Sequence, residues 1–314
     1  MGLNYNHGVV LIADETVPGT AEALVAGDGG MIVSNITYNA NPKPIDRNAI
    51  ISNKGQIASL MSPAWEPSIE FDTELKGGGT PLGVAPKVGQ ILQMANFSET
   101  IVASTTVTYE LDGADNHKTL AWDLKDDTGA NGPRFLIYGA LCGLSISLGI
   151  EKPGSIRVKG LGKYQAPADV APLTPTLELL APPFFMGGTF TIDGDALNVR
   201  EFSMDTNPEL FLIPKISDAQ GFQYARISKL KPTFSVTCEL PGIATQDIYA
   251  IMRAATEIAL SIATPAVAGN TITISATKLQ YTGIALSEDR GIPLATITGQ
   301  INYGGASHFK MVLT

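Results

Sequence analysis

Glu66-Pro-Ser-Ile-Glu-Phe-Asp-Thr-Glu-Leu-Lys-Gly77 and Lys231-Pro-Thr-Phe-Ser-Val-Thr-Cys-Glu-Leu-Pro-Gly242 align without a gap, Pro67 on Pro232, 165 residues apart. Each reads X-Pro, an alternating strand, then Glu-Leu-X-Gly. Strict alternation is the period of a strand with one buried and one wet face. Three further matches keep the same order along the chain. Thr106-Val-Thr108 matches Thr271-Ile-Thr273 at the same separation, and Thr37 to Pro42 resembles Ser203 to Pro208 at 166. Ile156 to Tyr164 matches Ala295 to Tyr303 at only 139, so the first half carries an extra segment of about 111–138. The chain is therefore read as an internal duplication.

The rest of the sequence supports a mainly β chain. Thr105 to Leu111, Leu144 to Leu148, Ser155 to Lys159, Thr271 to Ala276 and Leu294 to Tyr303 also alternate and are rich in β-branched residues. Two stretches have helical spacing, one per half. Val88 to Phe97 places Val88, Ile91, Leu92 and Ala95 on one stripe, and Thr245 to Leu260 does the same with Ile248, Ile251, Met252 and Ala255. The Pro-rich run 166–183 is an extended connector, which divides the chain into domains at 1–165 and 184–314. Each half has a long stretch between its first two strands, Asn41 to Ser62 and Asn207 to Ser228, too apolar for disorder. Two readings of these stretches stand open: hairpin arms that project toward a partner subunit, or arms folded back on their own domain.

The 314 residues carry 21 Lys+Arg against 30 Asp+Glu, a net charge of −9, which argues against a general polyanion binder. With 44% hydrophobic and 16% charged residues a substantial core is expected, and the 32 Gly and 20 Pro fit many turns. No secretion signal or membrane-spanning helix is expected, so the default is a soluble protein made in a reducing cytoplasm. Cys142 and Cys238 are expected as buried, unpaired thiols, and with His7, His117 and His308 they do not make a metal centre. No G-x-S-x-G, H-E-x-x-H, P-loop or C-x-x-C occurs, so no enzyme, cofactor or metal is expected. Lys76-Gly-Gly-Gly-Thr80 is read as a flexible loop, Asp112-Gly and Asp193-Gly as tight turns, and His117 as solvated. The polar phase of the first repeated strand is Ser68, Glu70, Asp72 and Glu74; that of the second is Thr233, Ser235, Thr237 and Glu239. Neither contains Lys or Arg.

In order, these features resemble the tail tube (major tail) proteins of long-tailed bacteriophages, in a form with two copies of the tube domain. The markers are Glu15-Thr-Val-Pro-Gly-Thr20, Ile32 to Ile36, Phe71 to Gly79, Leu144 to Leu148, and Ile284 to Leu294 leading into the final strands. The resemblance implies two tandem tube-type β-sandwich domains, each with one flanking helix and a long projecting hairpin arm. Rings of three chains with pseudo-sixfold symmetry would stack into a tube around a tape-measure protein, with DNA later passing through. Tail tip or baseplate and terminator proteins would be the end partners. Assembly would take place in the host cytoplasm, and the product would be part of the virion tail. Glu70, Asp72, Glu74 and Glu239 are then expected to face the lumen, where a negative wall would keep phosphates from sticking. Alternation alone leaves the opposite assignment of faces open. The arms, with Arg47, Ile50, Ile51, Ile57 and Leu60 in the first and Phe211, Ile213, Phe222 and Tyr224 in the second, would make ring-to-ring contacts. The competing readings are another virion β-protein (tail terminator or capsid decoration), a carbohydrate-binding β-sandwich pair, and an enzyme on a β scaffold.

Overall fold

The computed structural model describes residues 3–45, 59–126, 131–304 and 309–314. Most of the described chain is strand. In order come β1 (Leu3–Asp14), β2 (Val33–Asn39), β3 (Pro44–Ile45), β4 (Leu60–Met61), β5 (Ser68–Glu74), α1 (Val88–Met94), β6 (Phe97–Val102) and β7 (Thr106–Leu111). Then follow β8 (Lys118–Asp126), β9 (Gly132–Gly149), β10 (Ser155–Tyr164), β11 (Ala168–Val170), β12 (Thr189–Ile192), β13 (Asp195–Ala196) and β14 (Val199–Asp205). The chain ends with β15 (Pro208–Pro214), β16 (Phe222–Leu230), β17 (Thr233–Glu239), α2 (Ile248–Ala254), β18 (Ile258–Ala263), β19 (Ile272–Asp289), β20 (Ile292–Ile301) and β21 (Phe309–Leu313).

All the strand pairings are antiparallel. One run reads β2-β5-β10-β9-β14-β17-β20-β19. A second reads β6-β7-β21-β19-β18-β12-β13. A third joins β1 to β8, β8 to β9 and β9 to β11. The 18-residue strands β9 and β19 each belong to two runs. β19 makes that passage between Ala276 and Leu279, where its register against β18 slips, a bulge that bends a strand. Ile69, Phe71 and Val236 of the first run and Val107, Ile274 and Met311 of the second are buried in one apolar core. Both repeated strands show the predicted alternation: Ile69, Phe71 and Thr73 are buried in β5, and Phe234, Val236 and Cys238 in β17.

The strand neighbours repeat as well as the sequence. β5 lies between β2 and β10, and β17 between β14 and β20. β9 follows β10 in one set and β19 follows β20 in the other. The start of β19 corresponds to β7, and its end to the end of β9. What separates β7 from β9 is β8, which pairs with β1 and with the start of β9.

Both helices are shorter than their spacing predicts. In α2, Asp247 caps the Ala250 amide (2.9 Å), and Ala255 ends the helix in the left-handed region at φ 51°. Residues 258–260, read from sequence as helix, open the strand β18: Ile258, Leu260 and Ile262 are buried while Ala259 and Ser261 are exposed. A strand period continues the apolar phase that the helix began. α1 likewise stops before Asn96 at φ 66°, and Phe97 opens β6.

The Gly-rich loop after β5 is a close backbone contact rather than a free loop. The Gly79 amide donates to the Gly269 carbonyl (2.9 Å) and the Gly77 amide to Asn270 Oδ1 (2.9 Å). Gly269 has φ +79°, and a Cβ there would sit 2.2 Å from the Gly79 carbonyl oxygen. Gly269→Ala is expected to lose about 1–3 kcal/mol from the left-handed backbone and more from the overlap. Gly113, at φ +82° with open space around it, provides the control. Gly113→Ala should show the backbone cost alone, and equal urea midpoints for the two variants would refute the close-contact account.

The Pro-rich connector is pinned along its length. The Glu178 amide donates to Gly30 O (2.9 Å), Glu178 Oε1 accepts from the Lys87 amide (2.8 Å), and Lys76 Nζ reaches Glu178 O (2.5 Å). Further along, Asn270 Nδ2 donates to Ala181 O (2.8 Å).

Candidate functional site

The candidate surface is the face of the long sheet that points away from the core. Glu70, Asp72 and Glu74 on β5 and Glu239 on β17 all lie half-buried on it. Asn35 donates to Asp72 (2.7 Å) and Asn198 to Glu239 (2.9 Å), so each of these carboxylates has a side-chain donor. Glu70 is not bare: its cross-strand neighbours on β10 bring Arg157 (3.3 Å) and Lys159 (3.3 Å) to it. The two strands that suggested an acidic face contain no base, but the strand between β5 and β9 supplies two. Glu201, Asp205 and Asp289 extend the acidic character toward the far end, where Arg200 pairs with Asp289. Around these charges the face is lined by Ser145, Ser147, Ser203, Ser235, Thr237, Thr296 and Thr298, with Ser145 Oγ donating to Asp205. Such a wall is hydrophilic and mostly negative. No cluster of metal-ligating side chains occurs among the described residues.

The second long stretch forms the hairpin β15–β16, which lies across β9 and β10. Leu212, Phe222 and Ala225 pack on Leu141, flanked by Ala64 and Leu161. Tyr224 meets the His117 ring edge-on (4.7 Å between centroids), and His117 Nε2 lies 2.8 Å from the Ala225 carbonyl. His117 is therefore buried, a correction to its reading as solvated: the hairpin that covers it comes from far along the chain. Lys163 Nζ, itself buried, pairs with Asp218 near the hairpin tip (2.7 Å). Outside that packing, Phe211 is exposed, Ile213 half-buried and Ile216 fully exposed. In the first long stretch, Leu60 is exposed on the short pair β3–β4, whereas Arg47, Ile50, Ile51 and Ile57 lie outside the described residues.

Cys142 and Cys238 are both buried and unpaired. Burial pushes both thiols up, Cys238 to about 11, so neither is a reactive thiolate near neutrality. No helix is long and apolar enough to cross a membrane among the described residues.

A family model described as phage tail tube protein matches residues 6–301. No curated protein gives a significant match.

Proposed function

The chain belongs to the phage tail tube protein family, and from that premise we propose that it polymerises as stacked rings into a virion tail tube through which DNA passes. The observation that carries this reading is the repeated order of the long sheet, β2-β5-β10-β9 followed by β14-β17-β20-β19. We assign the first set to a tube domain at 1–165, the second to one at 184–314, and 166–183 to the connector. A chain with two such units would close a ring of three with pseudo-sixfold symmetry. Three chains of these eight strands, at about 4.8 Å spacing and a tilt of roughly 35–45°, close a barrel roughly 45–50 Å across at the backbone. That width admits a double helix after side chains are subtracted. Closure also removes the edges that an open sheet exposes.

In this reading the hydrophilic face carrying Glu70, Asp72, Glu74 and Glu239 lines the lumen. Excess negative charge repels phosphate, so DNA meets no adhesive patch. Arg157 and Lys159 temper that charge near Glu70. The exposed Leu60 and Phe211 and the half-buried Ile213, together with Arg47, Ile50, Ile51 and Ile57, belong to arms that touch the next ring. Phe222 and Tyr224 anchor the second arm to its own chain. A tape-measure protein inside the tube, tip and terminator proteins at its ends, and assembly in the host cytoplasm complete the proposal. No catalytic step is assigned.

Negative-stain electron microscopy over a concentration series tests it. Hollow tubes or rings whose averages show threefold, pseudo-sixfold symmetry are expected. Particles that stay monodisperse even after seeding with tail-tip complexes would refute the assignment.

A further inference from the structure

The long sheet contains one seam between strands from the two repeats, β9 against β14. There Ser145 faces Asp205, Ile146 faces Met204, Ser147 faces Ser203, Leu148 faces Phe202 and Gly149 faces Glu201. The sheet also has two ends. Thr37 to Asn39 of β2 pair with β5 on one side and, among the described residues, with no strand on the other. Residues 285–289 of β19 pair in the same way with β20 alone.

These ends are second copies of the strands that meet inside the chain. In β2, Thr37 stands opposite Glu70, Tyr38 opposite Ile69 and Asn39 opposite Ser68. In β14, Ser203 stands opposite Ser235, Met204 opposite Phe234 and Asp205 opposite Thr233, which are the repeat equivalents of those three residues. In β19, Ala285, Leu286 and Ser287 stand opposite Thr296, Ala295 and Leu294. In β9, Ser145, Ile146 and Ser147 stand opposite Arg157, Ile156 and Ser155, again the equivalents.

We propose that β2 of one copy of this chain pairs antiparallel with β19 of a second copy in the register of the internal seam. Asn39 then faces the neighbouring Ala285, Tyr38 faces Leu286 and Thr37 faces Ser287. The occupant is a second copy because each chain carries both halves of the seam, one at each end. That head-to-tail arrangement closes into a ring. Burial supports the same match. Ile146 is fully buried and Met204 nearly so, whereas Leu286, in the place of Ile146, is 59% exposed and Tyr38, in the place of Met204, is half-buried. An apolar residue on a bare edge strand is an unmanaged liability unless something covers it. The external seam is also the weaker of the two. Ala285 stands in for Ser145 and lacks its hydrogen bond to Asp205, while Glu288 and Asp289 stand in for Leu148 and Gly149. Chains can therefore remain separate while the internal seam stays shut. This register rests on the ring reading above and specifies which residues make the contact.

The test uses the full chain carrying Thr37→Cys and Ser287→Cys. Directly opposed strand residues have Cβ atoms about 4.5–5.5 Å apart, close to disulfide reach. Native Cys142 and Cys238 are buried and do not compete. Mild oxidation of assembled material should give covalent dimers and trimers on a non-reducing gel. The displaced pair Asn39→Cys with Ser287→Cys, about 7 Å out of register, should give none. Leu286→Asp should leave a monomer that melts like the parent and forms no rings. Rings in which the displaced pair bridges, or in which Thr37 and Ser287 do not, would overturn the register and leave the tube reading standing. Normal assembly of Leu286→Asp would do the same. Absence of rings or tubes from the unmodified protein would overturn both.

Discussion

A chain ending at residue 308 is expected to fail to fold. The missing strand, β21, is inserted between β7 and β19, so it joins the first repeat to the second through two ladders at once. Lys310 to Leu313 pair with Glu110 to Val107 on one side, and Phe309 to Leu313 pair with Ala276 to Ile272 on the other. Phe309 and Met311 are fully buried and Leu313 nearly so. Phe309 packs edge-on against Phe97, 6.0 Å between ring centroids. At about 1.5–3 kcal/mol for each large apolar side chain, the three contribute roughly 5–9 kcal/mol. That is comparable to the whole stability of an ordinary domain, about 5–15 kcal/mol. Two ladders of backbone groups would also lose their partners. Truncated protein should therefore be insoluble or molten, while the full chain gives a cooperative urea transition. Phe309→Ala should be a graded version, losing about 3–5 kcal/mol. Lys310→Ala should be nearly silent, because its ion pair with Glu110 is partly exposed (3.0 Å) and such pairs contribute about 0–1 kcal/mol. A soluble truncated chain with a native melting curve would show that the two repeats hold together without this strand.

The contribution of β21 also shows where sequence reading reaches its limit. Its alternation, Phe309, Met311, Leu313, is as clean as that of β5 and β17. Period two reveals which face of a strand is buried and nothing about which strands flank it. The alternation of β5 and β17 was legible because it was written twice, so each copy supported the other. β1 was obscure for the opposite reason: its partner, β8, belongs to the segment that has no counterpart in the second half. The second helix was overextended because Ile258 and Leu260 continue an apolar run across a left-handed Ala255, a break that alanine does not announce. On the candidate lumen face, the acidic residues were legible one strand at a time. The cations that temper them were not, since Arg157 and Lys159 meet Glu70 only through pairing across the sheet. His117 was misjudged by the same logic, because local polarity cannot forecast a hairpin arriving from 108 residues away.

Removing the guanidinium of Arg134 is expected to cause the largest loss of stability of any single substitution in the segment absent from the second repeat. Asp123 is 1% exposed and sits directly opposite Arg134 across the β8–β9 ladder. The pair is bidentate: Arg134 Nε donates to Asp123 Oδ1 (2.6 Å) and an Nη to Oδ2 (2.7 Å). Its hydrogen bond to Asp123 raises the guanidinium further above its ordinary range. An unpaired buried charge is far more costly than a missing pair. Arg134→Ala strands the carboxylate in a wall formed by β1, β8 and β9 and should lose about 3–5 kcal/mol. Replacing both residues by leucine removes the ion pair together with its desolvation cost, so the double variant should recover most of that loss. Lys43→Ala offers the exposed contrast: its pair with Glu66 lies at the surface, where such contacts contribute about 0–1 kcal/mol. Urea midpoints for the three variants decide the matter. A double variant no more stable than Arg134→Ala would mean that the pair positions β8 against β9 through its geometry, and that charge burial is not what the wall is built to solve.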